Sequence, residues 1–204
     1  MGRFLFVCLA MQLSVFVFAN NALFTPTASV LQTNEVQLDD FYGLGQRANE
    51  YGQVSVGLGD GFELGYAANR FNRTSYGSSV NIEYDYLVPF TDYAPGIAFG
   101  VIDGLNRTTV GRQFYFVASF SIGLNYDLQQ SLAATVSFGY LAGNRTTPFV
   151  NAMIPLGGSV SYIVEDDGNE INTGFDLRIL KPVTLRVAMR GSATLVGLRW
   201  NWKF

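Results

Sequence analysis

Ile171-Asn172-Thr173-Gly174-Phe175-Asp176-Leu177-Arg178-Ile179-Leu180 changes character at every residue. Ile171, Thr173, Phe175, Leu177 and Ile179 make one face; Asn172, Gly174, Asp176 and Arg178 make the other. A period of two is that of an extended strand, whose successive side chains leave opposite faces. The following stretch repeats it, with Val183, Leu185, Val187 and Met189 opposed to Thr184, Arg186, Ala188 and Arg190. Lys181-Pro182 between them marks a hairpin, because proline cannot donate inside a ladder.

The same pattern runs outward over nearly all of the chain after residue 34. Candidate strands cover 35 to 42, 51 to 59, 62 to 70, 79 to 88, 96 to 103, 113 to 126, 132 to 141, 149 to 156, 159 to 164, 171 to 180, 183 to 190 and 193 to 203. That makes about twelve. Ten is the alternative, because Asp39-Asp40 interrupts the apolar face of the first and the eighth and ninth can be read as one bent strand. Gly59-Asp60-Gly61 is a tight turn, whereas 71 to 78, 104 to 112 and 142 to 148 are longer and polar, as expected when one barrel end carries turns and the other loops. Each longer loop carries one triplet: Asn72-Arg73-Thr74, Asn106-Arg107-Thr108 and Asn144-Arg145-Thr146. Their spacing suggests a duplicated hairpin unit. They match the N-glycosylation pattern, and we read them as polar loop tips.

Alternation does not say which face is outside. The polar face is made largely of residues too small to coat a soluble surface, among them Ser55, Gly57, Gly65, Ala98, Gly100, Ser119, Ser137, Gly139, Gly174 and Gly197. Charged residues are 14% of the chain, against the quarter or more of a soluble surface. Aromatics gather near strand ends: Phe62, Tyr86, Phe90, Tyr93, Tyr126 and Trp202 towards the short turns, Tyr66, Phe114, Tyr140 and Phe149 towards the other end, as two interfacial girdles require. The last strand alternates up to Trp200, Trp202 and Phe204, similar to the C-terminal assembly signal of bacterial outer-membrane proteins. Closure removes the edges that so apolar a sheet would expose. The expected fold is therefore all-β: an antiparallel up-and-down transmembrane β-barrel.

At the N-terminus, Arg3 precedes an apolar run from Phe4 to Phe18. That is about 15 residues, shorter than the roughly 20 of a membrane helix. Small residues at Val17 and Ala19 place cleavage of a secretory signal after Ala19. The expected organisation is signal peptide 1 to 19, N-terminal extension 20 to 34 and barrel 35 to 204. The only cysteine, Cys8, lies in the signal and histidine is absent, which excludes disulfides, thiolate sites and histidine-based acid–base or metal chemistry in the mature chain. Sixteen acids against 13 bases leave no cationic footprint for nucleic acid.

Thr25-Pro26-Thr27-Ala28 with Val30-Leu31 and Glu35-Val36-Gln37-Leu38 resembles the opening of exopolysaccharide-associated outer-membrane proteins, the YjbH-like barrels. Pro95 to Val101 and Phe116 to Ser119 are similar to their middle strands, and Glu165 to Gly174 to their acidic loop. The resemblance implies fold and location and brings no catalytic residues.

The function expected is non-enzymatic: a narrow passive pore or an accessory of envelope polysaccharide handling. Its partners are outer-membrane lipid, the barrel assembly machinery and small solutes or polysaccharide, and no cofactor is needed. A secreted soluble β-sandwich acting as an adhesive module is the alternative; a carboxylate-only enzyme is a third reading. Inward acids are expected at Glu63, Glu83, Asp85 and Asp127, and inward arginines at Arg178, Arg186, Arg190 and Arg199, with Asp176 on the basic side and able to pair with Arg186. In a ring of twelve the fourth and tenth strands oppose each other, so the lumen is expected to be a narrow, water-filled channel with opposite charge on opposite walls. No internal loop is long enough for a large plug; the one segment available to fold inward is Asn20 to Asn34. Glu165-Asp166-Asp167-Gly168-Asn169 lacks EF-hand spacing and is read as a solvated turn rather than a calcium loop.

Overall fold

The computed structural model describes residues 22–44, 50–71, 75–87, 94–125, 131–144 and 146–204. The signal segment, Phe90, Tyr93, Tyr126, Asp127 and the triplet at 72 to 74 lie outside them. Twelve strands follow one another: β1 (Glu35–Leu44), β2 (Glu50–Gly59), β3 (Phe62–Phe71), β4 (Ser75–Leu87), β5 (Gly96–Ile102), β6 (Gln113–Asn125), β7 (Ser131–Gly143), β8 (Thr147–Pro155), β9 (Val160–Asp166), β10 (Ile171–Leu180), β11 (Val183–Arg190) and β12 (Ala193–Lys203). Each pairs antiparallel with its chain neighbours, and β1 pairs with β12 from Glu35↔Lys203 to Leu44↔Thr194, closing the barrel. No edge is left over, which matters because an unpaired strand cannot satisfy its amides in hydrocarbon.

The count is twelve because β8 and β9 are separate strands turning at 156–159, where Leu156 N donates to Val160 O at 2.8 Å. At the other end of these strands, two expected loops are largely strand. Ser75 to Ser78 pairs with Phe71 to Ala68, so 71 to 78 shrinks to 72–74, and 142 to 148 shrinks to 144–146. Polar composition suggested loops there, but an antiparallel ladder accepts serine and glycine wherever its partner continues. The longest connection on that side is 103–112, and at the opposite end β4 and β5 are separated by 88–95 and β6 and β7 by 126–130. Loop length therefore does not distinguish the ends.

The polarity of the barrel is inverted relative to a soluble protein. Large apolar side chains are exposed around the ring, from Leu38 through Ile82, Phe116, Phe138 and Phe175 to Leu198, with Trp200 and Trp202 beyond. Phe62, Tyr86, Tyr66, Phe114 and Tyr140 also face out. Phe149 does not: it is 4% exposed and packs inward, because β8 shares its parity with the inward Asn151. Its ring covers Gly139, where any Cβ would overlap it, and Tyr115 covers Gly100 in the same way. The strands form one closed sheet rather than the two stacked sheets of a sandwich.

Candidate functional site

Among the described residues buried charge is concentrated in the lumen, and the lumen is not empty. Residues 22–34 enter it beside the C-terminus, where Asn34 N donates to Gly57 O at 3.3 Å and Phe204 N to Asn34 O at 3.1 Å. Ala22, Leu23, Phe24, Thr25, Thr27, Ala28 and Leu31 are all buried. With all twelve strands already paired, the segment satisfies its amides on wall side chains. Leu31 N donates to Glu63 Oε2 at 2.9 Å, Val30 N to Asp85 Oδ2 at 3.3 Å and Ala28 N to Ser119 Oγ at 2.7 Å. Asn151 Nδ2 donates to Thr25 Oγ1 and to Pro26 O. Glu165 receives the amides of Leu23, Phe24 and Thr25 at 3.0–3.2 Å and the Thr25 hydroxyl at 2.9 Å. Phe24 then packs between Phe41 and Tyr51, each ring centroid 5.5 Å away.

The water-filled channel expected from the small lining is thus corrected. Glycine and alanine are there partly because something else needs the room. Gly57 faces the backbone of Leu31 and Gln32, and a Cβ there would come within 2.5 Å of Leu31 O; Gly174 faces Leu23.

Glu63 and Glu83 are fully buried on adjacent strands opposite one another, Asp85 is next along β4, and Tyr115 donates to Glu83 at 2.7 Å. Across the lumen Arg186 is likewise fully buried, bridging Asp39 Oδ2 at 2.6 Å and Asp176 Oδ1 at 2.9 Å, donating to Ala22 O and lying over the Phe41 ring. Arg199 binds Asp39 at 2.7 Å, and Arg190 pairs with Glu170 at 2.7 Å and Asp167 at 3.2 Å. The basic wall is therefore largely neutralised where it stands, which corrects the expected separation of charge: desolvated cations need partners close by. Arg178 is exposed at the turn end rather than enclosed. With Lys181, Arg199, Ser159 and Asn201 it lines a cavity of about 310 Å³ that opens there.

Two of the decisive acids are absent from the expected set. Asp39 shares the inward parity of Gln37 and Phe41, so its alternation was legible. Glu165 follows Ser161 and Ile163 on the inner face of β9, but the acidic run after it reads as loop. That loop spends its carboxylates on its own amides and on Arg190: Asp166 accepts from Gly168 N, Asp167 from Asn169 N and Glu170 N, and Asp167 and Glu170 also pair with Arg190. In the 103–112 loop Asp103 takes the amides of Arg107 and Thr108, and Asn106 that of Arg112. Among the described residues no group of three or more acids is arranged to hold a metal ion.

A closed antiparallel barrel of twelve strands, apolar outside and charged within, has the architecture of an outer-membrane porin. Among solved structures, the chain is similar to a KdgM porin, at 15% identity and a TM-score of 0.58 over 80% of this chain and 98% of that one. It is similar also to a KdgM porin in complex with disordered oligogalacturonate, at 16% identity and a TM-score of 0.55 over the same shares. At these identities the likeness is one of fold. No protein-family model matches the chain, and no curated protein does.

Proposed function

We propose that the protein is a non-enzymatic outer-membrane barrel offering small polar solutes a narrow passive route, exported by its N-terminal signal and inserted with the help of Trp200, Trp202 and Phe204. The observation that carries this is the inversion of polarity on a closed sheet. A continuous apolar exterior is stable against lipid, and a lumen bearing Glu63, Glu83, Glu165 and Arg186 suits polar cargo. Fully buried carboxylates beside the inward segment, in a chain without histidine, do not favour hydrolytic chemistry. The porin of the same fold captured with oligogalacturonate makes acidic oligosaccharides the first solutes to try, since Arg178 and Lys181 line the turn-end cavity. A role in exopolysaccharide handling is the finer reading, supported by the YjbH-like stretches quoted above.

The test is extraction and flux. The protein should require detergent for release from the outer membrane and run faster on a gel unboiled than boiled. Folded into liposomes, it should pass uronates and small sugars, in the intact chain or in one lacking residues 22–31. Release by salt would overturn the membrane reading, and absence of flux in both chains would overturn the pore.

A further inference from the structure

We infer that Ala22–Leu31 is a built-in strap that closes the lumen and can leave it without opening the barrel, an inference that rests on the pore reading above.

The first argument is topological. The ring is complete without the strap, because β1 and β12 pair over ten positions beginning at Glu35, after the strap has ended. A plug that supplied a strand could be withdrawn only by breaking the sheet. This one has a single bridge residue, Pro26, among its described residues, and is otherwise held by the side chains named above. Its root stays fixed when the rest departs: Asn34 is tied to Gly57 and Phe204, and Gln32 accepts from Lys203 Nζ.

The second argument is the chemistry of the wall. The groups that hydrogen-bond the strap are Glu165, Ser119, Asn151, Asp85, Glu63 and Arg186, all of which water solvates well, and its main apolar anchor is Phe24 between Phe41 and Tyr51. A permanent filler would more simply be apolar on both sides, since leaving such groups unpaired in a dry interior is costly. With the strap withdrawn, water can replace every one of its donors.

The third argument is fit. The notch at Gly57 and the gap at Gly174 admit backbone and a leucine side chain where any β-carbon would intrude on the strap or the wall. Glu165, gripping three successive amides and a hydroxyl from about 140 residues away, acts as the clasp at the inner end.

The experiment compares the full chain with a chain lacking 22–31 in planar bilayers, each shown to be folded by its heat shift. The deletion should raise single-channel conductance by about tenfold or more, because a twelve-strand barrel lies between filled and open sizes. Equal conductance in both overturns the strap and leaves the pore reading standing. Silence in both removes the pore, and the strap with it. Should the deleted chain not fold, an Ala28→Cys reporter in a Cys8→Ser background answers instead, since no other thiol is present. Ala28 is 1% exposed, so a maleimide should label it slowly in the intact barrel and about tenfold faster once Glu165→Gln opens the clasp. Equal rates would overturn the inference.

Discussion

Replacing Arg186 by methionine keeps the volume of the side chain and removes its charge from the middle of the lumen. Asp39 retains Arg199 at 2.7 Å, but Asp176 is left with only the Arg199 Nη1 contact at 3.9 Å, too long for a hydrogen bond. Breaking a buried pair from one side costs about 3–5 kcal/mol, because the remaining charge is uncompensated. The partner that Asp39 keeps puts the expectation at the low end, about 3 kcal/mol, or roughly a hundredfold in the folding equilibrium. The contact over Phe41 at 5.0 Å, lost as well, adds about 0.5–1 kcal/mol. The assay is urea unfolding in lipid vesicles, followed by the emission of Trp200 and Trp202 and by gel mobility. A companion chain with Asp176→Leu added removes the stranded charge and should recover about half of the loss or more. A single-variant loss below about 1 kcal/mol, or a double variant as unstable as the sum of the two singles, would refute the reasoning.

Gly139→Val should cost about 1–3 kcal/mol by driving a side chain into the Phe149 ring, and Phe149→Ala in the same chain should restore most of it; an unchanged urea midpoint for the single variant would mean that the ring is free to move. Deleting Phe204, which is exposed and stacks edge-on against Trp202 at 6.0 Å, should lower the yield of heat-modifiable barrel in the outer membrane several-fold, and undiminished yield would count against its part in insertion. A tag at Arg107 in the 103–112 loop should be reachable on intact cells while one at Asp60 is not; the opposite labelling would invert the topology.

The inward parity of Glu63, Glu83, Asp176 and Arg186 was legible because each sits in an unbroken alternation, and a period of two is a property of the extended backbone itself. Asp39 obeyed the same rule, and reading Asp39-Asp40 as an interruption hid it: one of the pair faces in and the other follows the outward positions. Phe149 was misplaced because aromatic residues near strand ends suit a girdle and a lumen equally, and only the register of β8 against β7 separates them.

By itself the sequence determined that the chain forms amphipathic strands, twelve or ten of them, that their apolar faces look outward and that the last one ends on aromatics, all of which follow from side chains one or two residues apart. The occupancy of the lumen was decided only by the tertiary structure. Thr25-Pro26-Thr27-Ala28 has no periodicity that points to a destination, and its hydrogen-bond partners lie on β6, β8 and β9, strands that become neighbours of the segment only when the ring closes. Small lining residues are equally consistent with water and with a passing backbone. The difference lies in the width left after twelve strands, Phe149 and Tyr115 have taken their share, and no local stretch of the chain encodes that width.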